Sequence, residues 1–160
     1  MPDVDVDQLY RRYFPVIREK CARMLRDAAE AQDVAQETFT RLWSERARLR
    51  DDAGVASWIY RTSTRLAIDR VRRAARDGDD EPALDAATDG VDAAERLASR
   101  QLLARLAALA PDDELEVAVL SRVDGLTHGE IAGVLGRSDR TVRRLLERLE
   151  ARVAHLREAE

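Results

Sequence analysis

Five side chains near the C-terminus carry the chemistry this chain shows most openly: Arg140, Thr141, Arg143, Arg144 and Arg148. A guanidinium can pair with the O6 and N7 atoms of guanine, or hold a backbone phosphate. Their spacing puts them on one short helix. On that helix Val142, Leu145, Leu146, Leu149 and Val153 recur at helical period and predict the buried face. The surrounding stretch, Gly125 to Arg152, has the layout of a helix-turn-helix, with a tight turn at Gly136-Arg137-Ser138. Thr127 and Glu130 have the spacing of a capping box for the first helix. Ser138 is the expected cap of the second, or Asp139 if that helix begins one residue later. A helix with one apolar stripe and arginines elsewhere fits a DNA major groove. The same pattern also describes an ordinary solvated face in an all-α protein.

Composition bounds what must hold these residues. The 160 residues suffice for one ordinary domain or two small ones. Hydrophobic residues are 45% and charged residues 36%, which implies a folded, soluble chain. Aromatics are only 4%, which favours helices packed by Leu, Ala, Val and Ile over a large sheet. No apolar run approaches the roughly 20 residues needed to span a bilayer, and no signal-peptide pattern opens the chain. Membrane insertion is therefore not expected. A single cysteine, Cys21, cannot form an internal disulfide, so the expected location is cytoplasmic. Cys21, His128 and His155 are isolated in sequence, without metal-ligand spacing or a Gly-rich phosphate loop. Neither an enzyme nor a bound cofactor is expected.

Charge is unevenly placed. The net charge is −4, but residues 1–76 carry 16 basic against 12 acidic side chains. Residues 77–99 carry one against eight, and residues 100–160 carry 10 against 11. Local field, more than net charge, steers a polyanion. Of the 27 basic residues only Lys20 is lysine.

The chain reads as helices throughout. Leu9, Tyr13, Val16, Ile17, Cys21, Met24 and Leu25 form one stripe, with Pro15 marking a kink or a start. A second helix is expected from about Glu30, with Val34, Phe39, Leu42 and Trp43 as its apolar members. Leu49 to Ser57 predicts a loop, and a third helix runs from Trp58 to Arg76 with Ser57 as its cap. Trp58 is expected in the core. The Gly, Pro and like charges of Asp77 to Val91 mark a linker. Helix resumes near Asp92, with Leu97, Leu102, Leu103, Leu106 and Leu109 as its apolar face. Pro111 interrupts it, and a helix over Glu114–Val123 leads into the helix-turn-helix. The expected fold is all-α: two small helical domains, 1–76 and 96–160, joined by an acidic flexible linker over 77–95.

Three segments carry a resemblance. Asp33-Val34-Ala35-Gln36-Glu37-Thr38-Phe39-Thr40-Arg41-Leu42-Trp43 is similar to the D-V-x-Q-E-x-F-x-R-x-W helix of the extracytoplasmic-function sigma factors of bacteria. Trp58-Ile59-Tyr60-Arg61 and Leu66-Ala67-Ile68-Asp69-Arg70-Val71-Arg72-Arg73 resemble that family's next two motifs. Glu116-Val117, Asp124-Gly125-Leu126-Thr127 and Glu130-Ile131-Ala132 resemble its C-terminal signature. The first half thus looks like sigma region 2 and the second like region 4, with the linker between them.

The resemblance implies roles. Asp33, Gln36, Glu37 and Arg41 would dock on RNA polymerase core. Tyr60, Arg61, Arg65, Arg70, Arg72 and Arg73 would meet the −10 element of promoter DNA as it melts. Residues 61–76 hold six arginines against Asp69 alone, so such binding would depend strongly on salt. Arg140, Thr141, Arg143, Arg144 and Arg148 would read the −35 element. The family also implies an anti-sigma factor as a partner. Two other readings stay open: a stand-alone helix-turn-helix regulator, and a degenerate sigma-like protein that binds polymerase or an anti-sigma factor without initiating.

Some positions depart from the family pattern. Ala110-Pro111-Asp112-Asp113-Glu114-Leu115 is acidic where basic residues commonly follow L-P-P. Thr64-Arg65 stands where R-N is usual, and Leu145 and Glu147 stand where arginine and histidine are common.

Overall fold

The computed structural model describes residues 4–25, 27–78 and 90–159. Most of the expected linker, residues 79–89, lies outside them. The described residues form seven α-helices: α1 (Val6–Met24), α2 (Ala28–Glu45), α3 (Asp52–Arg76), α4 (Gly90–Leu109), α5 (Asp112–Arg122), α6 (His128–Leu135) and α7 (Asp139–Glu158). A single 3-10 turn, Arg46–Arg48, follows α2. The all-α expectation holds.

Helix ends follow side-chain chemistry. Asp5, Asp27 and Asp51 each accept a hydrogen bond from a first-turn amide of α1, α2 and α3. Asp51 corrects the sequence reading. It caps α3 six residues before Ser57, so the expected loop over Leu49–Ser57 shrinks to its first few residues. Its carboxylate accepts from the Gly54 amide at 2.6 Å. A Cβ on Gly54 would stand 2.9 Å from that carboxylate oxygen, so the glycine admits the cap rather than ending the helix. Pro15 neither starts nor ends α1. It lies on the exposed face, where water can hydrate the carbonyl it leaves without a partner.

The two halves share one core. Ile17, Cys21, Val34, Leu42, Val55 and Ile59 from α1–α3 belong to the same buried cluster as Leu106, Leu115, Val119 and Leu149 from α4, α5 and α7. Three stripe members do not join it: Val16, Trp43 and Leu109 are exposed, against expectation. Trp58 is half-buried against the cluster, so it lines the core without being enclosed. A second, smaller cluster knits the helix-turn-helix: Val117, Leu120, Ile131, Val142, Leu145 and Leu146. Tyr60 of α3 packs on it from the other half. Burial pushes the Cys21 thiol up to about 12, so it stays protonated as an apolar packing group.

One charged pair sits inside this junction. Lys20 of α1 is 3% exposed. Its Nζ lies 2.7 Å from Asp124 Oδ2, just beyond α5, and both side chains are 2% exposed. Nζ also donates to Thr64 Oγ1 at 2.7 Å, to Ser63 Oγ at 3.1 Å and, loosely, to the Tyr60 carbonyl at 3.4 Å. Burial draws the Lys20 ammonium below its ordinary pKa, with the Asp124 carboxylate opposing. Burial likewise raises Asp124, with Lys20 opposing. Each charge persists because the other is there.

Removing one partner should therefore cost more than removing both. Lys20→Met should lower stability to urea at pH 7 by about 3 kcal/mol, the usual scale for orphaning a buried charge. A carboxyl raised by burial destabilises the folded state only when ionised. The loss should shrink as pH falls toward 4. The Lys20→Met, Asp124→Leu double variant should recover most of the loss at pH 7.

Candidate nucleic-acid interface

The helix-turn-helix is built as its sequence dictates. Thr127 caps α6, accepting from the Glu130 amide at 3.2 Å, while the Glu130 carboxylate accepts from the Thr127 amide. Gly136 ends α6 at φ 62°, a left-handed conformation that glycine adopts without strain. Ser138, rather than Asp139, caps α7 and accepts from the Thr141 amide at 3.2 Å. Val142, Leu145, Leu146 and Leu149 face inward as expected, and Val153 is half-buried.

That packing leaves Arg140, Arg143, Arg144 and Arg148 exposed on α7. None of these side chains makes a hydrogen bond or ion pair with another described residue, so their donors are open to phosphate or base edges. Thr141 is half-buried, and its hydroxyl lies 3.0 Å from Ser138 Oγ. It serves the turn as well as the outer face. Glu147 is exposed among the arginines and lowers the local positive field.

The arginines of α3 are placed differently. Arg65 Nε donates to Glu116 Oε1 of α5 at 2.6 Å. Arg72 donates from Nε to the Ala107 carbonyl at 3.0 Å, and its Nη1 lies 2.6 Å from Asp112 Oδ1. Arg70 faces α2, 3.7 Å from Glu30 and 3.8 Å from Glu37. Arg61 is half-buried, with its Nε enclosed. Arg73 is exposed. Tyr60 is wedged against the helix-turn-helix, and burial raises its phenol above the ordinary range, helped by nearby Asp124. The six candidates therefore divide. Arg73 is open, Arg70 ties α3 to α2, Arg61 is half-buried, and Tyr60, Arg65 and Arg72 meet the other half of the chain.

On α2, Asp33, Gln36 and Arg41 are exposed and Glu37 is half-exposed. Gln36 Nε2 donates to Tyr10 Oη at 3.1 Å, and Arg41 pairs with Glu37 at 2.7 Å. One residue of this face escaped the sequence reading. Trp43, assigned to the core by its place in the apolar pattern, is 57% exposed beneath the Arg46 guanidinium, 3.9 Å from the ring centre. Its position one helical turn beyond Thr40, on the Gln36 side, was the available signal.

Among the described residues, no cluster of His, Cys, Asp and Glu could hold a metal ion. No described helix is long and apolar enough to cross a membrane.

Fold and site together define a two-part helical protein with a helix-turn-helix whose arginine face is open. Residues 9–77 match the model of Sigma-70 region 2, and residues 99–153 that of Sigma-70, region 4. The RNA polymerase sigma factor CarQ of Myxococcus xanthus is 31% identical over 166 residues, covering 92% of each chain. The ECF RNA polymerase sigma factor SigE of Mycolicibacterium smegmatis is 30% identical over 150 residues, 89% of this chain and 57% of that one. The probable RNA polymerase sigma factor RfaY of Xanthomonas campestris pv. campestris is 29% identical over 140 residues; this chain spans 34% of its length. In fold the chain resembles CnrH, solved in complex with the cytosolic domain of CnrY, with a TM-score of 0.60 and 23% identity over 97% of this chain and 88% of that one. The chain belongs to the extracytoplasmic-function sigma factors of the sigma-70 family. Sigma factors are not enzymes.

The open face of α7 gives a measurable signature. Replacing Arg143 and Arg144 with alanine should flatten the salt dependence of duplex binding, lowering the slope of log K against log salt by about 1.8. Because both side chains are exposed, thermal stability should move by less than about 0.5 kcal/mol. A binding titration at several salt concentrations checks both expectations.

Proposed function

We propose that this chain directs promoter-specific initiation by RNA polymerase. It binds the core enzyme through α2, captures the melted −10 strand through α3 and reads the −35 element through α7. The observation that supports this best is the exposed face of α2. There Asp33, Gln36 and Arg41 are exposed on the same helix as Trp43, whose ring is 57% exposed beneath the Arg46 guanidinium. A polar rim about a large aromatic is the composition of a docking surface, and Trp and Arg are over-represented among the residues that dominate such interfaces. No catalytic group is required of the chain, since the polymerase supplies the active site.

An anti-sigma factor is a further partner under this reading. The CnrH structure was solved with the cytosolic domain of CnrY. Here a groove of about 890 Å³ opens between α4, α5 and α7, floored by Leu102, Leu106, Val119 and Leu149 and edged by Arg96 and Arg157. An apolar helix with acidic flanks would suit it.

The test is binding of the purified chain to RNA polymerase core, with duplex DNA alone as the control. Tight core binding with weak duplex binding is expected. Trp43→Ala and Arg41→Ala should each weaken core binding about tenfold and leave the melting temperature unchanged, since both side chains are exposed. Strong duplex binding with no affinity for core would instead identify a stand-alone regulator, for which the open α7 face is also suited. Binding to neither would leave the degenerate sigma-like reading.

A further inference from the structure

The acidic start of α5 departs from the family pattern, Glu116 further along α5 keeps to it, and both Asp112 and Glu116 have partners in the structure. Asp112 engages Arg72 and Glu116 engages Arg65, both across the junction between the halves. Glu114 is 3% exposed and instead holds Arg152 of α7, at 2.7 Å, within its own half. Two acids thus occupy two arginines of the helix that carries the most concentrated positive charge in the chain. Tyr60, nearer the start of α3, packs on the helix-turn-helix of the second half. The buried Lys20–Asp124 pair lies next to it and fixes the register of the two halves. By contrast Arg140, Arg143, Arg144 and Arg148 have no such partners among the described residues. The closure is therefore selective. It covers the α3 face and leaves the α7 face open.

We propose that α5 is an intramolecular stand-in for DNA: its carboxylates hold the second half over α3 and compete with the nucleic-acid strand for Arg65 and Arg72. This rests on the reading of α3 as a strand-binding helix. Carboxylate and phosphate offer a guanidinium the same oxygen acceptors, so one arginine cannot serve both at once. The two crossing pairs are partly exposed: Arg65 is 56% exposed and Asp112 is 76% exposed. Exposed pairs are individually weak and screened by salt. Such a contact can be displaced by a partner that engages both halves, and it suppresses weak, unassisted binding to single strands.

The test compares the whole chain with its Asp112→Asn, Glu116→Gln variant. Both substitutions keep size and shape and leave every arginine in place. The probe is a fluorescent single-stranded DNA oligonucleotide of mixed sequence at low salt. The variant should bind about five- to tenfold more tightly. Its salt dependence should be steeper, by about 1.4 in slope for two phosphate contacts on a single strand. Adding Arg65→Ala and Arg72→Ala should abolish the gain. A control that removes two exposed acids elsewhere, Asp7→Asn with Glu158→Gln, should gain less than twofold. Equal affinity of variant and wild type would overturn the proposal, as would a gain of the same size in the control or one that survives loss of both arginines. Core polymerase binding is measured on the same proteins. If core binding holds while the strand gain is absent, only the competition fails; if core binding is also absent, the sigma reading fails with it.

Discussion

The arrangement of the two halves turns on one ammonium group. Lys20 is the single lysine of a chain otherwise furnished with arginines, and it is buried. Its position suits lysine alone. A compact ammonium with three donors can point at a carboxylate and two hydroxyls converging from three directions, which a planar guanidinium cannot match in so small a space. Asp124 comes from the second half of the chain, whereas Ser63 and Thr64 lie on α3. The pair is not a strong source of net stability, because taking two charges out of water offsets most of their attraction. It supplies specificity. Any sliding of α5 over α1 and α3 would leave both charges buried and unpaired, so the register of the junction is set far more sharply than its apolar contacts could set it.

From that register follows the division of the arginines. The second half sits where Asp112 and Glu116 reach α3, and α7 turns its own arginines outward. Two basic surfaces that look alike in composition thus have different electrostatic states. On α7 the positive charge is free to act on a polyanion. On α3 much of it is neutralised within the chain. The net charge of −4 conceals both facts, since it averages an open basic face with acids that are already engaged.

The local parts of this architecture were legible in the sequence. The Thr127–Glu130 box, the Ser138 cap and the inward stripe of α7 each depend on residues within two turns of one another, and the chain states them directly. The start of α3 was misread for a local reason as well: Asp51, Asp52 and Gly54 serve equally as a turn or as a cap with its first turn. Trp43 was misread for a different one. Helical period shows which residues share a face but not what covers that face, and Trp43 is left 57% exposed beneath the Arg46 guanidinium. The role of Lys20 was out of reach. It lies on the inward side of α1 with Ile17 and Cys21, but its counter-charge is 104 residues away and is identified only once the halves are packed.

The departures from the family pattern then stop looking like decay. Thr64, in place of the usual arginine, puts a hydroxyl where a second cation would have faced Lys20 in a dry pocket. Asp112, in place of a basic residue, faces Arg72 across the junction, where a basic residue would have set like charges against each other; Arg65, in place of the usual asparagine, meets Glu116. Leu145, where an arginine is common, is 2% exposed and belongs to the core of the helix-turn-helix. Random loss of function would leave unmatched charges at such positions. Here Thr64, Arg65 and Asp112 each find a partner within the fold, in Lys20, Glu116 and Arg72. That correspondence is what a sequence selected to hold its halves together would show.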